Sequence, residues 1–187
     1  MKKIYIDGAW GIGKSTLCNF LAEGQHLTYI NEPVFPVKIS SANFSEEIIE
    51  KWYLNAHLRN VILANEISAD VVLERSMVSA LTYSLYYQKR IEHHRNFIEN
   101  YLKLNTNSVF ILLDFNYVDY LVIRDQFEDY RKPLVRRHAG LIEGYEKVFS
   151  SIMSSYLPHQ KYYKVKSLDR NGYINIETMY KEIVNFI

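Results

Sequence analysis

The sequence is poor in cysteine, in net charge and in long apolar runs. Its 187 residues include one cysteine, Cys18, so no disulfide can form within the chain, and we expect a reducing, cytoplasmic location. The formal net charge of +1 gives no strong attraction to nucleic acid polymers or to a membrane, so neither is an expected partner. The longest purely apolar run, residues 109–113, is too short for a bilayer, and the first apolar run ends at Asp7, too early for a signal peptide. His93 and His94 are adjacent but have no second cluster of metal ligands, so no zinc site is predicted.

Residues 8–16, GAWGIGKST, carry the strongest functional signal in the chain. They fit the phosphate-loop pattern G-x-x-x-x-G-K-[ST], with a strand pattern before them at residues 2–7 and a helical pattern after them at residues 15–23. Glycines let backbone N–H groups turn toward phosphate, and the following helix adds its positive dipole end. We therefore predict a bound nucleoside triphosphate, with Lys14 on its phosphates and Ser15 as a ligand of Mg²⁺. The predicted contacts are Gly8, Ala9, Trp10, Gly11, Ile12, Gly13, Lys14, Ser15 and Thr16.

Apolar runs alternate with helical patterns along the chain, which predicts a single α/β domain over residues 1–187. We expect the P-loop NTPase fold, a parallel five-stranded sheet flanked by helices on both faces. The predicted strands are residues 3–7, 27–31, 69–73, 109–113 and 161–165. The predicted helices are residues 15–23, 44–66, 118–124, 139–154 and 176–187, with further helical segments up to about residue 104.

Polar side chains follow the predicted strands at the edge where parallel α/β sheets bind ligands. Glu32 follows the second strand, where a carboxylate can accept a proton from a hydroxyl during phosphoryl transfer. Glu74 and Arg75 follow the third strand. There a carboxylate can face the metal bound by Ser15, and a guanidinium can hold phosphate oxygens. Each of these residues alone has an ordinary structural explanation, and their placement along one edge is what favours chemistry.

These motifs together resemble the motif series of the deoxynucleoside kinase family, a branch of the group that contains thymidylate kinase. The residues that carry the resemblance are Gly8-x-x-x-x-Gly13-Lys14-Ser15, Glu32-Pro33-Val34 and Glu74-Arg75-Ser76. The resemblance implies a kinase that uses ATP and Mg²⁺ and phosphorylates a nucleoside-like small molecule. It implies that Glu32 is the general base for the 5′-hydroxyl, that Glu74 is the metal-side carboxylate and that Arg75 contacts phosphate. It also implies a mobile lid that carries arginines, and a homodimer.

The lid is predicted at residues 124–137, where basic and acidic residues are mixed. Arginines that close over the γ-phosphate would stabilise the developing charge and exclude water, although an ordinary charged helix face has a similar composition. The compact lid pattern of the family, with arginines two residues apart, is absent. Arg124 and Arg131 are the favoured nucleotide contacts.

The acceptor side departs from the family pattern. Family members commonly read the base with a glutamine on the long helix, and here Glu50 or Asn55 falls near that position. Glu50 is the predicted reader of the base edge. Ala80 follows Ser79 at a position where alanine accompanies pyrimidine-preferring members, so a pyrimidine is slightly favoured. Trp52 is a predicted base-stacking residue, and a role in the core would explain it equally well.

Three alternatives to a deoxynucleoside kinase stay open. Thymidylate kinases usually carry an arginine before the Glu-Pro pair, where this chain has Asn31, so a nucleoside monophosphate ranks below a nucleoside as acceptor. An antibiotic or another small metabolite could supply the hydroxyl instead. A P-loop ATPase switch would use Asp114, which ends a strand that resembles a Walker B strand, as its metal ligand. The chain has no Asn-Lys-x-Asp guanine signature, which favours ATP as the donor.

Overall fold

Strands and helices alternate in the order that the sequence predicts. The computed structural model describes residues 1–36, 44–88, 91–126 and 136–187. The strands are β1 (Lys3–Asp7), β2 (Thr28–Ile30), β3 (Val71–Glu74), β4 (Ser108–Asp114), β5 (Tyr162–Lys166), β6 (Leu168–Asp169) and β7 (Gly172–Tyr173). The helices are α1 (Lys14–Gln25), α2 (Glu46–Glu66), α3 (Met77–Gln88), α4 (Arg95–Leu104), α5 (Tyr117–Asp125), α6 (Ala139–Glu143), α7 (Tyr145–Tyr156) and α8 (Ile176–Val184), with a 3₁₀ turn at Glu92–His94.

The first five strands form one parallel sheet in the order β2-β3-β1-β4-β5. β1 lies between β3 and β4, with Ile6 in register with Glu74 on one side and with Ile111 on the other. After β3 the chain passes to the other side of β1 to form β4. Because the strands are parallel, the carboxyl ends of β2, β3 and β1 lie at the same edge of the sheet. The predicted parallel five-stranded sheet is confirmed.

Two apolar cores cover the two faces of the sheet, because successive strand side chains point to opposite faces. In β1 the side chain of Tyr5 joins one core, whereas Ile4 and Ile6 join the other. The core on the Tyr5 face includes residues of α2, α3, α4 and α7, and the opposite core includes residues of α1, α5 and α8. Helices therefore flank the sheet on both faces, as predicted.

Side-chain caps set where three of the helices begin. Ser45 accepts a hydrogen bond from the Ile48 N–H at the start of α2, and Asn116 and Asn175 cap α5 and α8 in the same way. These caps satisfy backbone donors that lack a partner inside the helix. Within the described parts of the chain, no helix combines the length and the apolar character needed to cross a membrane.

The structure corrects three element predictions. The third strand begins at Val71 and includes Glu74, so the carboxylate belongs to β3 itself. The helix predicted over residues 139–154 is divided at Gly144 into α6 and α7. A hairpin that the sequence analysis missed, β6–β7, follows β5, and its turn is held by the Asn171 N–H donating to the Asp169 side chain at 2.8 Å. The sequence Asp169-Arg170-Asn171-Gly172 contains Asn-Gly, a turn signal that could have revealed this hairpin.

Candidate active site

The phosphate loop joins β1 to α1, and its three glycines all have positive φ angles. Gly8, Gly11 and Gly13 have φ values of +142°, +69° and +92°, which residues with a side chain rarely adopt. A Cβ at Gly8 would also overlap the Ile12 side chain and would lie 3.1 Å from the carbonyl oxygen of Leu113. The loop therefore packs closely against β4, and this packing explains why its pattern begins with glycine.

Lys14 begins α1 and is buried beneath the loop. Its Nζ atom donates to the carbonyl oxygen of Ala9 at 2.7 Å. Burial, together with the positive charge of Arg75, lowers the pKa of Lys14 to about 8. A negatively charged phosphate in the loop would compensate for the cost of burying this ammonium group.

Ser15 and Glu74, the two predicted metal ligands, lie in direct contact. The Ser15 hydroxyl donates to Oε1 of Glu74 at 2.7 Å, and the Tyr29 hydroxyl donates to Oε2 at 2.6 Å. This contact forms because β3 lies beside β1, so that the end of β3 meets the start of α1. Asp114 ends β4 on the other side of β1, and its backbone oxygen accepts hydrogen bonds from Ser167.

Glu32 and Arg75 form an ion pair across the ends of β2 and β3, with Nε of the arginine 2.7 Å from Oε1 of the glutamate. Burial alone would raise the pKa of Glu32, but the charges of Arg75 and Lys14 outweigh burial and hold it below its ordinary value. Burial likewise opposes the charge of Arg75, and Glu32 outweighs it, so the pKa of the guanidinium lies above its usual range. At neutral pH the pair is a carboxylate and a guanidinium.

A buried polar network that the sequence analysis missed holds the other side of Arg75. Its Nη1 atom lies 3.3 Å from Oγ of Ser79 and 3.5 Å from the hydroxyl of Tyr145, and these two oxygens are 2.8 Å apart. Ser79 also donates to Oδ1 of Asp7, which accepts the Ser76 N–H at 3.0 Å as well. Asp7 directly precedes the phosphate loop, a position that could have marked it. Tyr145 had no such signal, because only the packing of α7 on α3 brings it here.

Three further features describe how the Arg75 guanidinium is placed. Its backbone is left-handed, with φ +65°, an uncommon conformation for a residue with a side chain. Its guanidinium carbon lies 5.5 Å from the centroid of the Trp10 ring in the phosphate loop, within the range of a cation–π contact. Its Nη2 atom is buried and has no hydrogen-bond partner among the described residues, so this donor can serve a phosphate oxygen.

A cavity of about 680 Å³ opens over the loop and collects most of the predicted nucleotide contacts. The predicted residues that line it are Trp10, Gly11, Gly13, Lys14, Ser15, Thr16, Glu32, Glu74 and Arg124. The lining residues that the sequence analysis missed are Val34, Tyr173, Ile174, Ile176 and Met179. Tyr173 belongs to the unpredicted hairpin and Ile174 follows it, whereas Ile176 and Met179 lie in α8, whose position over the loop the sequence did not reveal. Gly8, Ala9 and Ile12 are buried and do not line this cavity.

Of the two favoured lid arginines, the structure describes one. Arg124 lies near the end of α5, is buried, and reaches the phosphate loop at Gly11. A Cβ built on Gly11 would be 2.7 Å from Nη1 of Arg124, so the guanidinium covers this glycine. Arg131 lies outside the described residues, and its role stays a prediction.

Of the residues predicted to contact the substrate, Glu32 lines this cavity, whereas Glu50, Trp52, Arg75 and Ala80 are not among its lining residues. Glu50 is buried in α2, and its Oε1 atom is 2.8 Å from Nε2 of His94. Trp52 packs edge to face against Phe35, with ring centroids 5.1 Å apart. Ala80 is half-buried against the core on the Tyr5 face of the sheet. Their roles toward an acceptor stay predictions.

Comparisons with known proteins agree with this geometry at the level of the fold. No protein-family model matches the chain, and no curated protein matches it in sequence. The chain resembles the structure of deoxyadenosine kinase from M. mycoides with bound dATP, with a TM-score of 0.67, 15% identity, and 98% of each chain covered. It has the fold of the P-loop kinases. Shikimate kinase from Aquifex aeolicus (TM-score 0.57, 16% identity, 98% of this chain and 94% of that one) is also similar. So is thymidylate kinase from Ehrlichia chaffeensis (TM-score 0.57, 12% identity, 99% and 97% covered). The predicted fold class is thereby confirmed.

Proposed function

We propose that this protein is a kinase that transfers the γ-phosphate of ATP to the 5′-hydroxyl of a deoxynucleoside, with a pyrimidine slightly favoured. The observation that carries the proposal is the Glu32–Arg75 pair beside the phosphate loop. A loop and a lysine alone would suit any ATP-binding protein. A carboxylate at the next strand end supplies what a transfer to a hydroxyl also needs, a group that can accept a proton.

The proposed reaction is an in-line displacement. The hydroxyl oxygen forms a bond to the γ-phosphorus, the bond from phosphorus to the β–γ bridging oxygen breaks, and ADP leaves. The proton of the hydroxyl passes to the Glu32 carboxylate. Lys14 and Arg75 stabilise the negative charge of the transferring phosphoryl group, and Arg124 covers the loop from the side of α5.

The donor atoms of the site fit Mg²⁺. The Ser15 hydroxyl and the Glu74 carboxylate are hard oxygen donors in direct contact, and Mg²⁺ prefers a few such ligands together with water and nucleotide phosphates. Ser15 and Glu74 are therefore the residues that would hold it. When bound, the ion neutralises charge on the nucleotide phosphates.

A neutral acceptor suits this site better than a nucleoside monophosphate. Asn31 precedes Glu32, and an asparagine cannot neutralise a second phosphate. The deoxyadenosine kinase with bound dATP, among the proteins of this fold, supports a nucleoside acceptor. A cytoplasmic location and a homodimer belong to the same proposal.

Phosphoryl transfer from γ-labelled ATP to a panel of acceptors tests the proposal. The panel contains the four deoxynucleosides, their ribose forms, their monophosphates and shikimate, with a control that lacks acceptor. We expect label on a deoxynucleoside 5′-hydroxyl, and Lys14→Ala should abolish it. Label found only on monophosphates or only on shikimate would show that the acceptor is not a nucleoside, and the assignment would change to that compound. Free phosphate in every tube would overturn the kinase assignment and favour an ATPase switch.

A further inference from the structure

Both oxygens of the Glu74 carboxylate are engaged by hydroxyl groups from different elements. Ser15, at the start of α1, donates to Oε1 at 2.7 Å, and Tyr29, in the middle of β2, donates to Oε2 at 2.6 Å. The proposed reaction uses Ser15 and Glu74 but gives no role to Tyr29. The structural effect of the Tyr29 hydroxyl on the Glu74 carboxylate is therefore the point of interest.

The position of the Tyr29 hydroxyl is fixed by the sheet and by apolar packing. β2 pairs with β3 with Tyr29 in register with Val72, two residues before Glu74. The tyrosine ring packs against the core between the sheet and α1, which includes Leu17 and Cys18. An ionised carboxylate can only accept hydrogen bonds, so the Tyr29 hydroxyl is the donor in this contact.

A carboxylate held at one oxygen only can rotate about its last side-chain bond, since terminal sp³–sp² torsions have broad wells. Glu74 also lies within electrostatic range of Lys14, whose ammonium would attract a carboxylate free to turn. The second hydrogen bond, from Tyr29, removes this freedom. It leaves Oε1 on the side of Ser15, where the two oxygen donors for a cation converge.

We propose that Tyr29 is a positioning residue for the magnesium site. It fixes the Glu74 carboxylate so that the oxygen that would bind the ion faces Ser15. This inference rests on the proposed function for the identity of the ion. It assigns Tyr29 no contact with nucleotide or acceptor. Residues that hydrogen-bond a metal ligand orient it, and removing such a residue commonly weakens the binding of the metal.

Tyr29→Phe tests the inference, with Tyr162→Phe as the matched control. Both tyrosines are half-buried, lie in the two edge strands of the sheet, and make one hydroxyl hydrogen bond, that of Tyr162 being to Ser150 at 2.8 Å. The measurement is the dissociation constant of ADP by calorimetry, in EDTA and in saturating Mg²⁺, followed by a Mg²⁺ titration at fixed ADP. We expect Tyr29→Phe to bind ADP normally in EDTA but to need about tenfold more Mg²⁺. Tyr162→Phe should match the wild type in both.

Two outcomes would overturn the inference. An unchanged Mg²⁺ requirement in Tyr29→Phe would show that the hydrogen bond does not position Glu74. Weaker ADP binding in EDTA, by the same factor as in Mg²⁺, would show a general structural role. A double-mutant cycle with Glu74→Gln adds a second measurement. Tyr29→Phe should have no further effect on the Mg²⁺ requirement once the carboxylate is gone, because its effect passes through Glu74.

This experiment separates the inference from the proposed function, because it uses no acceptor and no turnover. If the panel assay finds no phosphorylated nucleoside while Tyr29→Phe raises the Mg²⁺ requirement, the inference stands and the acceptor assignment fails. If nucleosides are phosphorylated and the Mg²⁺ requirement is unchanged, only the inference fails.

Discussion

Arg75 lies with its Nε atom 2.7 Å from Oε1 of Glu32, so the proposed general base is paired with the residue proposed to hold phosphate. The pair explains how a half-buried carboxylate stays ionised beside a phosphate site. It also implies competition, because a phosphoryl oxygen bound at the Nη2 atom of Arg75 would share the guanidinium charge with Glu32. Weakening of that pairing would raise the proton affinity of Glu32 when the hydroxyl must be deprotonated.

Replacing Glu32 with glutamine should lower kcat by about 10²- to 10⁴-fold, the usual contribution of a positioned acid–base group. The amide keeps the shape of the side chain but cannot accept the proton. ADP affinity, measured by calorimetry, should stay close to that of the wild type. Glu47→Gln is the control, since Glu47 is an exposed glutamate paired with Lys51 in α2. A Glu32→Gln variant with normal kcat would show that another group takes the proton.

Lys14 should take up a proton when nucleotide binds at alkaline pH. Its pKa in the free protein is about 8, because burial and Arg75 disfavour the charged form, and bound phosphates would raise it again. At pH 8.5 most of the amine is neutral before binding, so uptake of roughly 0.7 proton per ADP is expected. Calorimetry in buffers of different ionisation enthalpy measures this number directly. ADP affinity should therefore fall as the pH rises above 8.

The comparison variant for this prediction is Lys14→Arg, whose guanidinium stays charged across the whole range. It should bind ADP, more weakly than the wild type because its shape differs, without proton uptake at pH 8.5. Equal uptake in the two proteins would assign the proton to another group.

The sequence predicted the sheet and the loop well because both depend on local patterns. The run Ile4-Tyr5-Ile6, the glycine loop and the residues at the ends of β2 and β3 are contiguous signals. Tyr145 could not be found in this way, because it meets Arg75 only after α3 and α7 have packed. Ser79 is close to Arg75 in the sequence, but its contact with Asp7 forms only once β1 and β3 have paired. The placement of side chains along α2, such as Glu50 against His94, depends on the 3₁₀ turn before α4, which the helical pattern did not reveal.

Replacing Ser79 with alanine should lower the free energy of unfolding by about 1–3 kcal/mol, because Asp7 would lose a buried donor. Burial already raises the pKa of Asp7, and the Ser79 hydrogen bond is the main interaction opposing that rise. Urea denaturation measures the loss. Ser154→Ala is the control, because Ser154 is exposed and bonds carbonyl oxygens of its own helix, so a change within about 0.5 kcal/mol is expected. If both variants lost the same free energy of unfolding, the hydrogen bond to Asp7 would contribute no more than an exposed serine does.

Replacing Gly11 with alanine should push Arg124 off the phosphate loop. The new Cβ would lie 2.7 Å from Nη1 and 2.9 Å from Cζ of Arg124, and a flexible guanidinium moves more easily than the backbone does. The φ of +69° at Gly11 adds strain of about 1–2 kcal/mol to the folded protein. ADP affinity should fall about tenfold or more, as expected when one charged hydrogen-bonding group leaves the site.

Arg124→Ala and the double variant show whether this loss passes through Arg124. If it does, Gly11→Ala and Arg124→Ala weaken ADP binding by similar factors, and the double variant is little worse than either, because both remove the same contact. Calorimetry on the three variants measures the coupling, and thermal unfolding reports the backbone strain separately. A double variant whose loss equals the product of the two single losses would mean that Gly11 shapes the loop and Arg124 binds nucleotide independently.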